Sequence, residues 1–522
     1  MRESLGMEID GMATRSPVSR ELGAPMAVGT LAAVLLFGAV TSARVSAAGF
    51  IVFGLGLVAL SAYSAARWPR ATIVVVALSP MLDRYIVADI LPPALETLAH
   101  FLSEALLLAV GLVIAARAWA DGRLIRALQH PVSLGLLGFA GIGVLSAILN
   151  GVPPLVAAMG LVFTLDATIL FFLPRLVGFT LRQAMYAVGA LIAIVSASAL
   201  LAIGQAILSP RILGLEPSRG RFGELQRLAS VFGDPNVFGA FLVAAVPFVL
   251  LMARHLPTPR MRRIAVAIAF ALVLALWLSF SRGAWIAIVL GVGVALAVID
   301  RRALLLGLII CVVSFGTAIV MPRNLLVARD PADPIDERPE LVDSTIDRVG
   351  TIGLGGDLRT LFVLNAIPIV RDHPALGVGP GQYGGSVAHT YGTPIYAEYG
   401  TDRLFQNPLQ RTVDNFWLHI LVEMGVVGFV ALLASALLPG LHILAAARRA
   451  IGWRRIVLGG IAAATAGVAV SSVTTMLLEA NSIAFPFWFL LGVGGLVAAS
   501  ASGREDGSAN LGEEHRDHRE AG

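Results

Sequence analysis

Long apolar stretches separated by short polar turns fill most of this chain. About 20 helical residues cross ~30 Å of hydrocarbon, and stretches of that length recur from residue 25 onward. The pattern predicts fourteen transmembrane helices, or twelve to thirteen because Asp83 and Arg84 fall inside the third, where an isolated charge costs several kcal/mol. The predicted helices cover residues 25–43, 46–66, 71–90, 97–116, 131–150, 154–174, 183–208, 236–253, 264–281, 283–299, 303–320, 415–445, 456–478 and 484–501.

These stretches are continuous, whereas the strands of a membrane barrel alternate apolar and polar positions. Helices are the only workable way for such stretches to satisfy their backbone polar groups in lipid. Hydrophobic residues make up 57% of the 522, and the mean hydropathy is +0.82. The sequence therefore predicts an all-α polytopic integral membrane protein with about 12–14 transmembrane helices and one large extracytoplasmic loop.

Polar segments divide the chain into five parts. The first residues mix both charges and lack the form of a cleavable signal peptide. We predict a cytoplasmic tail at 1–24, about eleven transmembrane helices at 25–320, a large extracytoplasmic loop with a short amphipathic helix at 321–413, about three transmembrane helices at 414–501 and a cytoplasmic tail at 502–522.

Arginine placement sets the predicted orientation, because cytoplasmic loops of membrane proteins carry an excess of basic residues. Most arginines outside the insert fall in alternate loops, at Arg67, Arg70, Arg117, Arg123, Arg126, Arg175, Arg182, Arg254, Arg260, Arg262, Arg263, Arg301, Arg302, Arg448, Arg449, Arg454 and Arg455. We predict that these loops are cytoplasmic. The segment 209–235, the turn at residues 281–282 and the 321–413 insert then share the extracytoplasmic side.

The sequence RLASVFGDPNVFG begins at Arg227 and precedes the eighth predicted helix. Asp234 and Asn236 flank a proline, an arrangement typical of a turn and a helix N-terminus in which an Asx side chain caps free amides. Capping is therefore the structural alternative to a functional role for these two residues. Arg227 lies on the side where arginine is disfavoured, which makes it a candidate functional residue.

The sequence LSFSRGAWIAI places Arg282 between two apolar stretches, with only serine and glycine for polar company. A charge there needs a counter-ion or an anionic ligand, and the planar guanidinium suits two oxygens of a phosphate. Snorkelling to lipid head groups is the alternative. The small flanking residues favour a ligand-binding role, because they allow close approach.

The insert contains DLRTLFVLNAIPIVRDHPALGVGPGQYG, which begins at Asp357. Apolar residues at helical spacing predict an amphipathic helix over 358–371 that lies on the membrane or packs over the bundle. The spaced residues are Leu361, Leu364, Ile367 and Ile369. We expect this helix to end at His373. Gly379 and Gly381 then give a flexible turn whose amides can approach a ligand, although the pattern lacks the Lys and Ser/Thr of a P-loop.

Four motifs in order carry a resemblance to a known family. An arginine followed by a DPN turn, then SRGAW, then HPALGVGPGQY in a large outer loop, then DNFWLHILVEMGVVGF, resemble the O-antigen ligase and polymerase family of bacterial envelope polysaccharide enzymes. The motifs run from about Arg227 to Phe429, and the remaining helices agree in hydropathy only. The resemblance implies a multi-pass protein of the bacterial inner (cytoplasmic) membrane that acts in O-antigen or exopolysaccharide assembly.

The resemblance further implies a metal-independent glycosyltransferase without a cofactor. Such an enzyme transfers or polymerises glycan from a polyprenyl-diphosphate-linked donor onto a hydroxyl of a glycan, lipid or protein acceptor. Outer-face arginines hold the diphosphate, which points to Arg227 and Arg282. The residue that assists the acceptor is a histidine in many ligases, but Asp414 stands at that position here. This departure favours a polymerase or an exopolysaccharide assembly enzyme over a ligase.

Asp414 is the predicted base, since a partly desolvated carboxylate can accept the proton of an attacking hydroxyl. The alternative is a helix N-cap, because Asp414 and Asn415 precede an apolar stretch. No metal ligand is predicted. The predicted catalytic residues are Asp414, Arg282 and Arg227, and the predicted substrate-binding residues are Asn415, Asp234, Asn236, Arg359, His373, Gly379 and Gly381.

A secondary transporter or flippase of lipid-linked oligosaccharide is the alternative from a different class. Transport predicts ionisable residues near the membrane midplane and paired broken helices in two related halves. Candidates are Asp83, Glu104 and Asp166, but no internal repeat is visible and the polar residues gather on one side. Glu479 lies at the outer end of the thirteenth predicted helix and suits either type of site. No basic surface with interleaved aromatics indicates nucleic acid.

Overall fold

The computed structural model describes residues 47–81, 102–208, 218–219, 226–320, 358–405 and 412–501. The α-helices are α1 Ala47–Arg67, α2 Pro69–Leu78, α3 Leu102–Ala120, α4 Arg123–Leu128, α5 Pro131–Leu149, α6 Pro154–Leu165, α7 Ile169–Leu176, α8 Leu181–Ile207, α9 Pro235–His255, α10 Pro259–Leu278, α11 Arg282–Ala287, α12 Val294–Ile299, α13 Arg301–Val320, α14 Leu358–Asp372, α15 Ser386–Tyr391, α16 Pro394–Glu398, α17 Phe416–Arg449, α18 Gly452–Ser471 and α19 Asn481–Ala501. Shorter elements are the 3-10 turns Ser79–Met81, Asp166–Thr168, Ser230–Phe232 and Thr401–Leu404, the π-helical stretch Ile288–Gly293 and the paired antiparallel strands β1 Ser218–Arg219 and β2 Gln226–Arg227.

The chain forms two compact units, Met1–Leu124 and Ile125–Gly522. In the first unit, α1 packs against α3, and α2 contacts both helices. The second unit contains α5 to α19. All the residues predicted to act in a site belong to this second unit.

Eleven helices in the described ranges are long and apolar enough to cross a membrane. They are α3, α5, α6 with α7, α8, α9, α10, α11 with α12, α13, α17, α18 and α19. The prediction of an all-α polytopic membrane protein is confirmed, and the chain is a multi-pass membrane protein. The predicted helix at 25–43, both predicted tails and residues 321–357 lie outside the described residues.

Prolines and side-chain caps determine where several helices begin. Pro235 and Pro259 occupy first helical positions, where the missing N–H is not needed. Asp234 and Thr258 precede them as N-caps. These local signals explain why the predicted start at residue 236 lies within one residue of the observed start.

Three largely buried helices, α9, α18 and α19, form the interior of the second unit. Small residues let their backbones approach. A Cβ added at Gly460 would lie 2.1 Å from the ring of Phe248, and one added at Gly291 would lie 2.6 Å from the carbonyl oxygen of Ala466. Such close packing holds helices together in lipid, where the hydrophobic effect between helices is absent.

The longest helix, α17, has 34 residues, whereas ~30 Å of hydrocarbon needs only about 20. It breaks at Gly425, whose φ of 62° and ψ of −174° are not helical. The part after the break is long enough to span a membrane. The part before it, Phe416–Met424, can therefore stand at the membrane surface beside the insert.

The insert fills this break in α17. Its backbone runs alongside the broken turn and supplies hydrogen-bond partners to four backbone groups there. The four replacement bonds run from Val378 N to Val422 O, from Gly379 N to Glu423 O, from Val426 N to Pro374 O and from Val427 N to Ala375 O.

The expected helix in the insert is present as α14, and it has apolar residues on two sides. Phe362, Ala366 and Ile369 are buried in a small core of the insert. Leu364 and Ile367, which the prediction placed on the same face as Ile369, are 55% and 56% exposed. One apolar side of the helix therefore packs inside the insert, and the other is exposed.

Candidate functional site

The first group of candidate residues meets at the turn between α10 and α11. Arg227 Nε donates to the carbonyl oxygen of Ser279 at 3.2 Å, and Arg227 Nη2 donates to Asn236 Oδ1 at 2.8 Å. Ser281 Oγ donates to the same Asn236 oxygen at 3.1 Å. Arg227 and Asn236 therefore hold the turn that leads into α11.

Arg282 directly follows this turn as the first residue of α11 and is half-buried. Phe280, two residues earlier, has a φ of 48°, in the left-handed region that residues other than glycine rarely adopt. A Cβ at Gly283 would lie 1.9 Å from Thr474 Oγ1. The glycine therefore lets the start of α11 lie directly against the connector between α18 and α19.

Asp234 acts as the N-cap of α9, which is the structural alternative that the sequence offered. Its Oδ1 accepts hydrogen bonds from the backbone N–H of Asn236 at 2.7 Å and of Val237 at 3.0 Å. The Asn236 side chain does not cap the helix, because its oxygen faces Arg227 and Ser281. Capping thus explains Asp234, whereas Asn236 is a polar bridge to the turn.

Asp414 lies at the start of α17 and faces α14. Its Oδ2 is 3.5 Å from Arg359 Nη2, and the two side chains are 46% and 26% exposed, respectively. Asn415, not Asp414, is the N-cap, since Asn415 Oδ1 accepts from Leu418 N at 3.0 Å. The capping alternative for Asp414 is therefore wrong, and its carboxylate is partly exposed beside an arginine.

The connector between α18 and α19, residues 472–480, links these two groups. Phe416 N donates to the carbonyl oxygen of Ser472 at 2.9 Å, two residues after Asp414. Thr474 lies against Gly283, beside Arg282. The connector therefore places the Arg282 turn and the start of α17 at the same end of the second unit.

The glycine-rich segment 377–385 is packed inside the protein instead of being open to a ligand. Gly379 N donates to Glu423 O at 2.9 Å, and Gly381 N donates to Glu423 Oε2 at 2.8 Å. The two amides predicted to approach a ligand thus have partners within the chain. His373 ends α14 as expected, and its carbonyl oxygen accepts from Gly377 N at 3.1 Å.

A buried charged cluster is formed by His419, Glu423 and Glu479. The sequence singled out Glu479, but His419 and Glu423 were missed. Glu423 Oε1 accepts from Tyr383 N at 2.7 Å, opposite the bond from Gly381 to the other oxygen. His419 Nε2 lies 2.8 Å from Glu479 Oε1, and its Nδ1 contacts the carbonyl oxygen of Tyr383. The signal was a His and a Glu four residues apart in an apolar stretch, where ionisable residues indicate function or pairing.

Glu479 completes the cluster from the connector. Burial raises the pKa of this carboxyl, but the charge of His419 and hydrogen bonds from His419 and Ser386 outweigh burial and lower the pKa below its ordinary value. Nearby, burial raises the pKa of Tyr383 and Tyr396, so both stay neutral. Glu479 is therefore an ionised acceptor.

The cluster does not have the geometry of a metal site. Within the described ranges, no group of three or more His, Cys, Asp or Glu side chains is arranged to hold a metal ion. Its carboxylate oxygens point instead at backbone amides and at an imidazole. The cluster therefore serves to hold the insert on α17.

Residues 267–433 match the family model described as O-antigen ligase, over about a third of the chain. The chain carries an O-antigen ligase-like domain. This confirms the resemblance for the SRGAW, HPALGVGPGQY and DNFWLHILVEMGVVGF motifs, while Arg227 and the DPN turn lie before the matched residues. A comparison with curated proteins gave no match. The O-antigen ligase-like domain supports a membrane glycosyltransferase of the ligase or polymerase type, which acts on lipid-linked oligosaccharide and a glycan acceptor.

Proposed function

We propose that this O-antigen ligase-like protein transfers or polymerises glycan from a polyprenyl-diphosphate-linked donor onto an acceptor hydroxyl. The reaction takes place on the extracytoplasmic face of the bacterial inner membrane, with both chain termini in the cytoplasm. The carrying observation is the connector 472–480, which contacts both the Arg282 turn and the start of α17. Cationic and acidic groups therefore lie at one end of the second unit.

The donor side of the reaction is assigned to Arg282. As the sugar leaves its carrier, negative charge grows on the diphosphate, and a fixed cation stabilises that charge more in the transition state than in the ground state. Arg227 supports Arg282 by holding the preceding turn through Ser279 and Asn236. The Arg227 guanidinium is thereby fixed beside the turn that leads into α11.

The acceptor side is assigned to Asp414. The acceptor hydroxyl oxygen forms a bond to C1 of the donor sugar, the bond from C1 to the diphosphate breaks, and the hydroxyl proton passes to the carboxylate. Arg359 orients the carboxylate through its contact at 3.5 Å. A single carboxylate favours an inverting displacement, because a covalent route needs a second, nucleophilic carboxylate.

The test is polymer or ligation product formation by the purified protein in vesicles with lipid-linked glycan, in the presence of a divalent-metal chelator. We expect product from the wild type, about a 100-fold lower rate for Asp414→Asn, as for removal of a general base, and a similar loss for Arg282→Ala. Arg371→Ala and Glu398→Gln alter exposed charges of the insert and serve as matched controls. Full activity of both site variants would contradict the assignment.

The same vesicles test transport, the alternative function. The break at Gly425 is an observation in its favour, because broken membrane helices are common in transporters. We expect a new glycosidic bond, detected as a longer or newly linked glycan by mass spectrometry. Movement of glycan between the two vesicle faces without a new bond would establish transport instead.

A further inference from the structure

Ser386 is an exposed residue with an unusually fixed hydroxyl. It begins α15, directly after the glycine-rich segment. Its backbone N–H and its Oγ both donate to Glu479 Oε2, at 3.0 and 3.1 Å. One carboxylate oxygen therefore fixes both the backbone and the side chain of this surface residue.

The bond to Glu479 determines whether the Ser386 hydroxyl is a hydrogen-bond donor or acceptor toward the exposed side. An ionised carboxylate only accepts hydrogen bonds, so the hydroxyl proton of Ser386 points inward to Glu479. The lone pairs of Ser386 Oγ are then left for the exposed side. Glu479 itself is buried and engaged by His419 at 2.8 Å, so it does not meet a ligand directly.

Ser386 also lies beside the acceptor side of the proposed site. Val413 N donates to the carbonyl oxygen of Gly384 at 3.0 Å, which joins the segment before Ser386 to the residue before Asp414. A Cβ at Gly385 would lie 2.7 Å from both Glu479 Oε1 and the His419 ring. Only a glycine therefore brings the chain this close to the buried pair.

The segment that presents Ser386 is held along its length. Glu423 binds the amides of Gly381 and Tyr383, and Tyr396 Oη accepts from Gly384 N at 2.8 Å. Side chains locked in this way contribute more to binding, because less conformational freedom is lost when a ligand arrives. Ser386 is thus preorganised as a hydrogen-bond acceptor.

We propose that Ser386 Oγ accepts a hydrogen bond from a hydroxyl of the acceptor glycan, and that Glu479 and His419 are the positioning residues that orient it. Sugar hydroxyls are donors as well as acceptors, so a surface oxygen with only lone pairs available selects a sugar hydroxyl over a carbonyl or carboxylate. This inference rests on the proposed glycosyltransferase function and names a contact on its acceptor side.

The experiment measures dissociation constants for two separate probes on the full-length protein in detergent. One probe is the free oligosaccharide released by mild acid from the lipid-linked glycan, and the other is polyprenyl diphosphate without sugar. We expect Ser386→Ala to weaken oligosaccharide binding about fivefold, the effect of one neutral hydrogen bond, and to leave polyprenyl diphosphate binding unchanged. Ser386→Thr keeps the hydroxyl and should restore binding.

Thr390→Ala is the matched control, because its hydroxyl lies on the same short helix and donates to the Ser386 carbonyl oxygen at 2.9 Å. It should leave both dissociation constants unchanged. Glu479→Gln should also weaken oligosaccharide binding. An unchanged thermal midpoint of the Ser386→Ala variant confirms that this variant is folded. Unaltered oligosaccharide binding in folded Ser386→Ala, with product formation intact in the wild type, overturns the inference alone. Absence of wild-type product overturns the proposed function.

Discussion

Two regions at the same end of the second unit are held in place by different kinds of hydrogen bond. The turn between α10 and α11 is held by one arginine and neutral partners, with Arg227 and Ser281 sharing the Asn236 oxygen. The insert is held by buried charges, with Glu423 and Glu479 binding its backbone amides. At the turn, a single arginine donates to neutral oxygens. At the insert, buried carboxylates accept hydrogen bonds from backbone amides that would otherwise need water.

The difference indicates that the buried and the exposed charges have different roles, which is a division of labour between stability and chemistry. The buried carboxylates of Glu423 and Glu479, which hold the insert, bind groups within the chain, so they stabilise the insert and do not meet substrate. Asp414, by contrast, keeps a carboxylate that is 46% exposed, and Arg282 is only half-buried. Chemistry is therefore expected at the exposed charges, and stability at the buried ones.

The largest expected effect comes from removing a buried carboxylate. Glu423→Ala should lower the free energy of unfolding by about 4 kcal/mol, because it leaves the buried amides of Gly381 and Tyr383 without their acceptor and removes one of the two carboxylates beside His419. Tryptophan fluorescence during denaturation in detergent measures this loss. Glu398→Ala removes an exposed carboxylate and should lie within about 0.5 kcal/mol of wild type; equal effects of the two variants would refute the division of labour.

A smaller effect is expected at the turn between α10 and α11, where the neutral side chain of Asn236 is the acceptor. Asn236→Ala removes the acceptor shared by Arg227 and Ser281 and should cost about 1–2 kcal/mol in the same denaturation measurement. Asn236→Asp retains an acceptor oxygen and adds a charge facing Arg227, so it should keep wild-type stability. If both variants were equally unstable, hydrogen bonding at this oxygen would not be what holds the turn.

The smallest expected effect is a change in acid sensitivity. The pKa of Glu479 is lowered in the folded protein, so its stabilising contribution is present above the unfolded pKa of about 4.3 and is lost as pH falls through the lower folded value. The difference in Tm between wild type and Glu479→Gln should be constant from about pH 7 to 5 and shrink below about pH 4. A constant difference in Tm down to pH 3 would show that ionisation of the Glu479 carboxyl does not stabilise the folded protein.

Much of the membrane fold could be predicted, because span length and local start signals are properties of the sequence itself. The DPN turn and Pro235 fixed the start of α9 to within one residue. Which apolar side of α14 is buried in the insert could not be predicted, since Phe362 and Leu364 are both apolar and packing against the rest of the insert decides the outcome.

The candidate site was predicted in part. Arg227, Asn236 and the Arg282 turn do meet, and Asp414 does face an arginine of the insert. The buried cluster was missed because the partners of Glu423 are backbone amides, which every residue carries and no sequence pattern identifies. Its positions in an apolar stretch were visible, but their purpose required the folded insert.

The break at Gly425 has a consequence for how the protein is made. Four backbone groups around it depend on residues 374–379 for hydrogen bonds, and a buried backbone group without a partner costs about 1–3 kcal/mol. Residues 374–379 precede α17 in the chain, so the segment that completes the helix is synthesised first. The hydrogen bonding of α17 is therefore complete only once the insert has docked on it.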